Sequence, residues 1–96
     1  MTHYIAIIHK EPDSSYGVSF PDVPGVITAA GTLDAALLQA AEVLAFAAED
    51  WEKLTGAKFP RPRSLDSLRA DTDFNTMAEE AVVAAVPLTA RIGEAA

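Results

Sequence analysis

The side chains of this chain that could do chemistry are mostly carboxylates, and none of them lies in a pattern that builds an enzyme site. His3 and His9 flank an apolar segment. If that segment is extended, they lie about 20 Å apart and cannot share a metal ion. Asp13 and Asp22 fall in segments of turn composition. Asp34 falls in a first helical turn, where its negative charge interacts favourably with the helix dipole. A Gly-rich phosphate loop, a Ser-His-Asp set and a paired-acid spacing are also missing, so we predict no catalytic group, no metal and no cofactor.

The charge balance points instead to binding of a protein. Fourteen acidic residues stand against seven basic ones, and the formal net charge is -7. Such a surface repels a phosphate backbone and argues against nucleic acid as a direct ligand. A basic protein is the more natural charged partner. The simpler alternative, that the acidity only keeps the domain in solution, stays open.

Length and composition predict one small domain. The chain has 96 residues, half of them hydrophobic, which is enough for a single core. The absence of cysteine excludes disulfides and thiolate metal sites. No apolar run approaches the roughly 20 residues that span a membrane, and the first ten residues do not have the pattern of a signal peptide. We therefore expect a cytoplasmic protein.

The first half of the chain predicts a three-stranded antiparallel meander followed by a long helix. Residues 4–8 are apolar on both faces, which is typical of a central strand. Residues 17–20 and 26–30 are strands joined by a Pro-Gly turn. Apolar residues then follow helical spacing from residue 33 to about 54, with Thr32 as the N-cap and Gly56 as the stop.

The second half of the chain predicts smaller elements. Residues 57–63 hold two prolines and should be extended. Ser64 is expected to cap a short helix over residues 65–70, residues 72–76 are expected to form a loop, and residues 77–80 a further helical turn. The valine-rich segment 82–88 is predicted as a last strand. A strand that returns after a helical crossover usually runs parallel to an earlier strand, so we expect that orientation here.

The long helix carries apolar residues on two sides. Leu38, Ala45 and Phe46 lie opposite the face that would cover the sheet. Either a partner subunit packs on them, or the following segment folds back over them. We favour the internal cover, because the following segment has five large apolar residues that also need burial. These are Phe59, Leu65, Leu68, Phe74 and Met77.

Residues 16–37, which read YGVSFPDVPGVITAAGTLDAAL, together with the strand at 4–8, closely resemble the N-terminal domain of the HicB-like antitoxin family. Members of that family carry a segment of the type YGVSFPDLPGC.T.G.TL.EAL and neutralise the RNA-cleaving toxin HicA. The resemblance implies an α+β fold of truncated ribonuclease-H-like type, with the meander, the long helix, a short helix and a final strand that joins the sheet. It also implies a non-enzymatic inhibitory module that binds a small basic HicA-type toxin.

Two alternatives to the antitoxin stay open. One is a residual metal-dependent nuclease on the ribonuclease-H-like fold, although the strand at 4–8 carries no carboxylate to hold a metal ion. The other is a homo-oligomeric domain without a toxin. Residues 1–88 are expected to form the antitoxin domain. Residues 89–96 are too few for the DNA-binding segment with which members of the family commonly continue.

Three acids are predicted to contact the partner. Glu11 and Asp13 lie in the first turn and Asp22 lies in the Pro-rich turn, and none of them has a role in a helix. Loops at sheet ends often carry function, so we expect these side chains to face outward and to meet the basic toxin. Asp is also a normal turn former, and these residues could equally serve backbone geometry alone.

Overall fold

A four-stranded antiparallel sheet of order β3-β2-β1-β4 organises the chain. The computed structural model describes residues 2–12 and 15–89. The elements, in chain order, are β1 His3–Lys10, β2 Tyr16–Ser19, β3 Ile27–Ala30, α1 Leu33–Thr55, α2 Leu65–Arg69, α3 Thr72–Met77 and β4 Val82–Pro87. This is an α+β fold, and it confirms the predicted meander, the long helix and the final strand.

Strand β1 lies inside the sheet and is buried on both faces. Ile7 and Ile8 are 0% and 1% exposed and point to opposite sides, because successive side chains of a strand alternate. Tyr4, Ala6 and Ile8 belong to the core under α1, whereas Ile7 belongs to a second, smaller core. The apolar character of residues 4–8 on both faces therefore has a direct structural cause.

Helix α1 covers one face of the sheet, which we call the inner face. Its start is capped by Thr32, whose side-chain oxygen accepts the amide hydrogen of Ala35 at 3.1 Å. Its end is fixed by Gly56, which adopts φ 77°, a value that favours glycine, and donates its amide hydrogen to the carbonyl of Glu52 at 2.8 Å. Ala36 and Ala40 are fully buried, and their small side chains let the helix approach the sheet closely. Along the described ranges, no helix is long and apolar enough to cross a membrane.

The extended segment after α1 carries the chain from the inner face to the outer face. Its Phe59 ring packs between Tyr4 and Trp51, with ring centroids 5.4 Å and 5.5 Å away. The Tyr4 hydroxyl donates a hydrogen bond to the carbonyl of Pro60 at 2.6 Å. Burial of the Tyr4 hydroxyl, together with the nearby charge of Asp22, raises its pKa. These contacts anchor the predicted extended crossing.

Helices α2 and α3 cover part of the outer face. Leu68 and Phe74 are buried against Ile7 and form the second core with it. Ile5 and Val83 pack at its border, so this cover lies over β1 and β4. Ser64 caps α2 as predicted, since its hydroxyl oxygen accepts the amide hydrogen of Ser67 at 3.1 Å.

Two expectations for the last third of the chain are wrong. Residues 72–76 are not a loop, because α3 spans Thr72–Met77. Asp71 caps that helix by accepting the amide hydrogen of Asp73 at 2.9 Å. Of residues 77–80, expected to form a further helical turn, Met77 ends α3 and residues 78–80 form a turn after it. The turn ends at Glu80, which has φ 56°.

Strand β4 runs antiparallel to β1, not parallel to an earlier strand as expected. Val82 pairs with Ile8, and Pro87 pairs with His3. The reason is the position at which α3 ends. The end of α3 lies beside the end of β1, where the His9 ring nitrogen Nε2 donates a hydrogen bond to the carbonyl of Met77 at 2.8 Å. After a short turn, β4 begins opposite Ile8 and returns along β1.

The expected internal cover of the second face of α1 is also wrong. Leu38 and Phe46 are 66% and 59% exposed, although Ala45 is buried. The residues expected to cover them go elsewhere: Phe59 joins the inner core, and Leu68 and Phe74 join the outer one. Leu68 and Phe74, which were expected to cover α1, therefore cover the apolar outer face of β1 instead.

The second core generates a stability prediction. Leu68→Ala should lower the free energy of unfolding by roughly 2–5 kcal/mol, because it removes a fully buried side chain and leaves a cavity. Leu65→Ala, on the same helix at a position that is 38% exposed, is the matched control and should cost less than about 1 kcal/mol. Urea unfolding followed by circular dichroism measures both. Equal losses in the two variants would contradict the placement of α2.

Candidate partner-binding surface

The outer face of β2 and β3 is left open by the helices. Ser19 pairs with Ile7 of β1, so its side chain points to the same outer side of the sheet. Ser19 also pairs with Ile27, and Gly17 pairs with Ala29. Gly17, Ser19, Ile27 and Ala29 therefore lie on that side. Ile27 is 69% exposed there. We call this surface, together with Asp73, Phe74 and Met77 of α3 beside it, the hairpin groove.

The groove consists of two neighbouring hollows. The larger, of about 410 Å³, lies between the Pro-Gly turn and α3, and the smaller, of about 320 Å³, lies over the β2–β3 pairs. Both are lined by Ser19 and Ile27, so they meet. The larger hollow has apolar walls that include Phe20, Val26, Phe74 and Met77.

Glycine shapes the floor of the smaller hollow and the turn beside the larger one. Gly17 carries no side chain, and a Cβ placed there would lie 3.1 Å from the Glu11 carboxylate oxygen Oε1. The Glu11 side chain therefore leans over the backbone at Gly17. Gly25 adopts φ 90° in the Pro-Gly turn, a conformation that few other residues tolerate. Fully buried Val23 anchors this turn by donating its amide hydrogen to the carbonyl of Phe20 at 3.1 Å.

A three-residue ion bridge joins the Pro-rich turn to the outer helices. Asp22 accepts two hydrogen bonds from Arg63, one from its backbone amide at 2.7 Å and one from Nε at 2.6 Å. Arg63 Nη1 also donates to Asp71 at 3.2 Å. The hydrogen bonds to Asp22 and then to Asp71 raise the pKa of Arg63. The hydrogen bond from Arg63, followed by that from the Asp73 amide, lowers the pKa of Asp71.

The three predicted contact acids have different surroundings. Glu11 is exposed and lines the groove, as expected of an outward-facing acid. Asp22 is not outward-facing as expected: its side chain is only 9% exposed, and Arg63 occupies both carboxylate oxygens. Asp13 lies outside the described residues. Partner contact by these three acids stays a prediction.

The prediction missed the acids that α3 brings to the groove. Asp71 and Asp73 line the larger hollow beside Arg63. The pattern Asp71-Thr72-Asp73 is a recognisable helix start, with a capping acid and an acid in the first turn, and it was available in the sequence. What the sequence did not indicate is that this helix start lies next to the β2–β3 hairpin.

The charged side chains that line the groove are mostly acidic. Its lining holds three carboxylates, those of Glu11, Asp71 and Asp73, and one guanidinium, that of Arg63. The guanidinium is already engaged by Asp22 and Asp71. In the part of the chain that the structure describes, no three His, Asp or Glu side chains are grouped so that they could hold a metal ion. The arrangement offers apolar contact in the middle and negative charge at the rim.

The lowered pKa of Asp71 generates a pH prediction. Its ionised form stabilises the folded chain above the ordinary pKa of 3.8, and this contribution is lost as the pH falls through the lower folded value. Asp71→Asn keeps an oxygen to cap α3 but removes the charge. We expect the variant to melt below the wild type at about pH 6 and the gap to close below about pH 4. Melting temperatures over this pH range test it, and a gap that does not change with pH would contradict it.

Comparison with known proteins gives a consistent result. The family model described as HicB_like antitoxin of bacterial toxin-antitoxin system matches residues 4–92. The chain resembles the crystal structure of the N-terminal domain of the Burkholderia pseudomallei antitoxin HicB, with 26% identity and a TM-score of 0.73 over 92% of this chain and 99% of that one. It also resembles the crystal structure of the B. pseudomallei antitoxin HicB, with 27% identity and a TM-score of 0.71. That match covers 93% of this chain and 63% of the B. pseudomallei HicB chain.

A third solved structure shares the fold alone. It is a HicA3 and HicB3 toxin-antitoxin complex, whose matching chain is 20% identical, with a TM-score of 0.71 over 92% of this chain and 99% of that one. No curated protein sequence matches the chain. The family match extends over nearly the whole chain, and the chain therefore belongs to the HicB-like antitoxin family of bacterial toxin-antitoxin systems.

Proposed function

We propose that this chain is an antitoxin that binds and neutralises a small basic HicA-type RNA-cleaving toxin, and that the hairpin groove is the surface that binds it. The observation that carries the proposal is the groove itself, an uncovered apolar sheet face with carboxylates at its rim, in a chain of the HicB-like family. The fold likeness to a chain of the HicA3 and HicB3 complex supports a toxin as the partner.

The groove offers a physical route to inhibition. Ile27 and Met77 are exposed apolar residues that a partner can bury, and burial of such residues supplies most of the affinity of an interface. Glu11 and Asp73 at the rim attract lysine and arginine side chains and speed association. A protein that binds RNA does so through such cations, because RNA is a polyanion. An antitoxin that holds these cations covers the surface on which the toxin's RNA would lie.

The proposal includes further expectations from the sequence. The antitoxin acts in the cytoplasm as a binding protein, without a cofactor or a catalytic group of its own. The net charge of -7 supports the absence of direct binding to nucleic acid. The domain at residues 1–88 is expected to keep the likeness to a truncated ribonuclease-H-like fold. The exposed side of α1, at Leu38 and Phe46, is the surface proposed for homo-oligomerisation.

Inhibition of RNA cleavage tests the proposed function directly. The assay uses a small basic HicA-type protein, taken from a reading frame next to that of this chain, with an RNA substrate and increasing amounts of the antitoxin. We expect cleavage to stop near one antitoxin per toxin. Full cleavage in the presence of a large excess of folded antitoxin would overturn the proposal. Metal-dependent RNA cleavage by the antitoxin alone would favour the nuclease alternative instead.

Charge reversal at the rim tests the groove as the binding surface. The double variant Glu11→Lys with Asp73→Lys should associate with the toxin several-fold more slowly at low salt, because it reverses two of the rim charges. The deficit should shrink as salt screens the charges over about 10 Å at 0.1 M. Stopped-flow association rates over a salt series measure the effect.

A matched control removes the effect of net charge. Asp34→Lys with Glu42→Lys makes the same change in charge on α1, on the opposite side of the sheet, and Asp34 lies in a first helical turn as Asp73 does. This control should slow association much less. Equal deficits in the two double variants would show that the total charge, and not the groove, steers the toxin.

A further inference from the structure

We infer that the toxin docks by adding a strand to the edge of β3, so that the sheet of the antitoxin continues into the partner. This inference rests on the proposed function and specifies how the groove recognises its partner. The occupant is an extended segment of the basic toxin. Its backbone would bond to β3, and every second side chain of the segment would enter the hairpin groove.

The edge of β3 is open for such pairing. Among the described residues β3 pairs with β2 alone, and it is the outermost strand on its side of the sheet. Every second backbone group of an edge strand points away from its one neighbour. Helix α1 packs against the inner side of β3, so an added strand would not lie on an isolated ribbon.

The sequence of this edge lacks the devices that usually prevent pairing. Edge strands are commonly protected by charged side chains, proline or bulges. No charged residue occurs between Asp22 and Asp34, and Ile27–Ala30 contains no proline. The acids at the rim supply the selection instead, because they favour a basic chain and repel a second copy of this acidic one.

The register of the hairpin sets which side chains face the occupant. Ile27 and Ala29 point to the outer side and line the smaller hollow. A strand added next to β3 lies about 4.8 Å away, so its outward side chains would stand beside these two residues. Ala29 is small, which leaves room beside Ile27 for longer side chains of the partner, whereas the Glu11 carboxylate already lies over Gly17 and can meet a basic one.

The opposite edge of the sheet, β4, is the competing site, and it is built differently. It is also uncharged, but Pro87 lies at its end and has no amide hydrogen to donate. Its outer side borders the second core, where Val83 packs under α2 and α3. No open groove adjoins it among the hollows described above. We therefore assign the toxin to β3.

Two matched variants separate the edges. Ala29→Lys and Ala85→Lys each place a lysine at an exposed alanine on the outer side of an edge strand, in β3 and β4 respectively. The first should raise the dissociation constant for the toxin at least tenfold, because the lysine fills the groove and repels a basic strand. The second should change it less than twofold. Calorimetric titration measures both, and melting temperatures show that each variant is folded.

Backbone amide exchange gives a readout that a contact through side chains alone would not change. In the complex with the wild-type antitoxin, alternate amides within Ile27–Ala30 should exchange at least tenfold more slowly than in the free chain. Binding with no change in β3 exchange, with Ala29→Lys at wild-type affinity, or with Ala85→Lys as the weaker variant would overturn this inference, while inhibition of the toxin by the wild type would still support the antitoxin function. A failure of the toxin to bind the wild type would overturn both.

Discussion

The burial of β1 on both faces is the constraint on which the rest of this structure depends. A strand with Ile7 on one side and Ile8 on the other needs two covers. Helix α1, with 23 residues, lies across the inner face and supplies one of them. The second cover consists of α2 and α3, with five and six residues. Because these short helices extend over β1 and β4 only, the outer side of β2 and β3 stays open and becomes the hairpin groove.

Long-range polar contacts hold this partial cover in place. Asp22 and Arg63 lie 41 positions apart in sequence, and their contact ties the Pro-rich turn to the segment that leads into α2. His9 and Met77, 68 positions apart, tie the end of β1 to the end of α3. The same contacts set the walls of the groove, so the residues that complete the fold also shape the surface proposed to bind the toxin.

The sequence could predict those features of the fold that depend on local rules. The two strands of the β2–β3 hairpin, Thr32 as the cap and Gly56 as the stop of α1 all follow from patterns within a few residues. The direction of β4 could not be predicted in this way, because it depends on where α3 ends relative to β1, beside which Met77 contacts His9. Asp22 was expected to face outward because its ion pair with Arg63, 41 positions away, is also a long-range contact that local patterns do not indicate. In the groove, Glu11 was found from composition, whereas Ser19, Ile27 and Asp73 come together only in the folded chain.

The central claim is that the toxin binds the open outer side of β2 and β3. Backbone chemical shifts of the isotope-labelled antitoxin, measured before and after addition of unlabelled toxin, test it most directly. The account predicts the largest changes at Ser19, Ile27 and Met77, with little change at Leu38 and Phe46 on the exposed side of α1. Large changes on α1, with the hairpin groove unaffected, would contradict it.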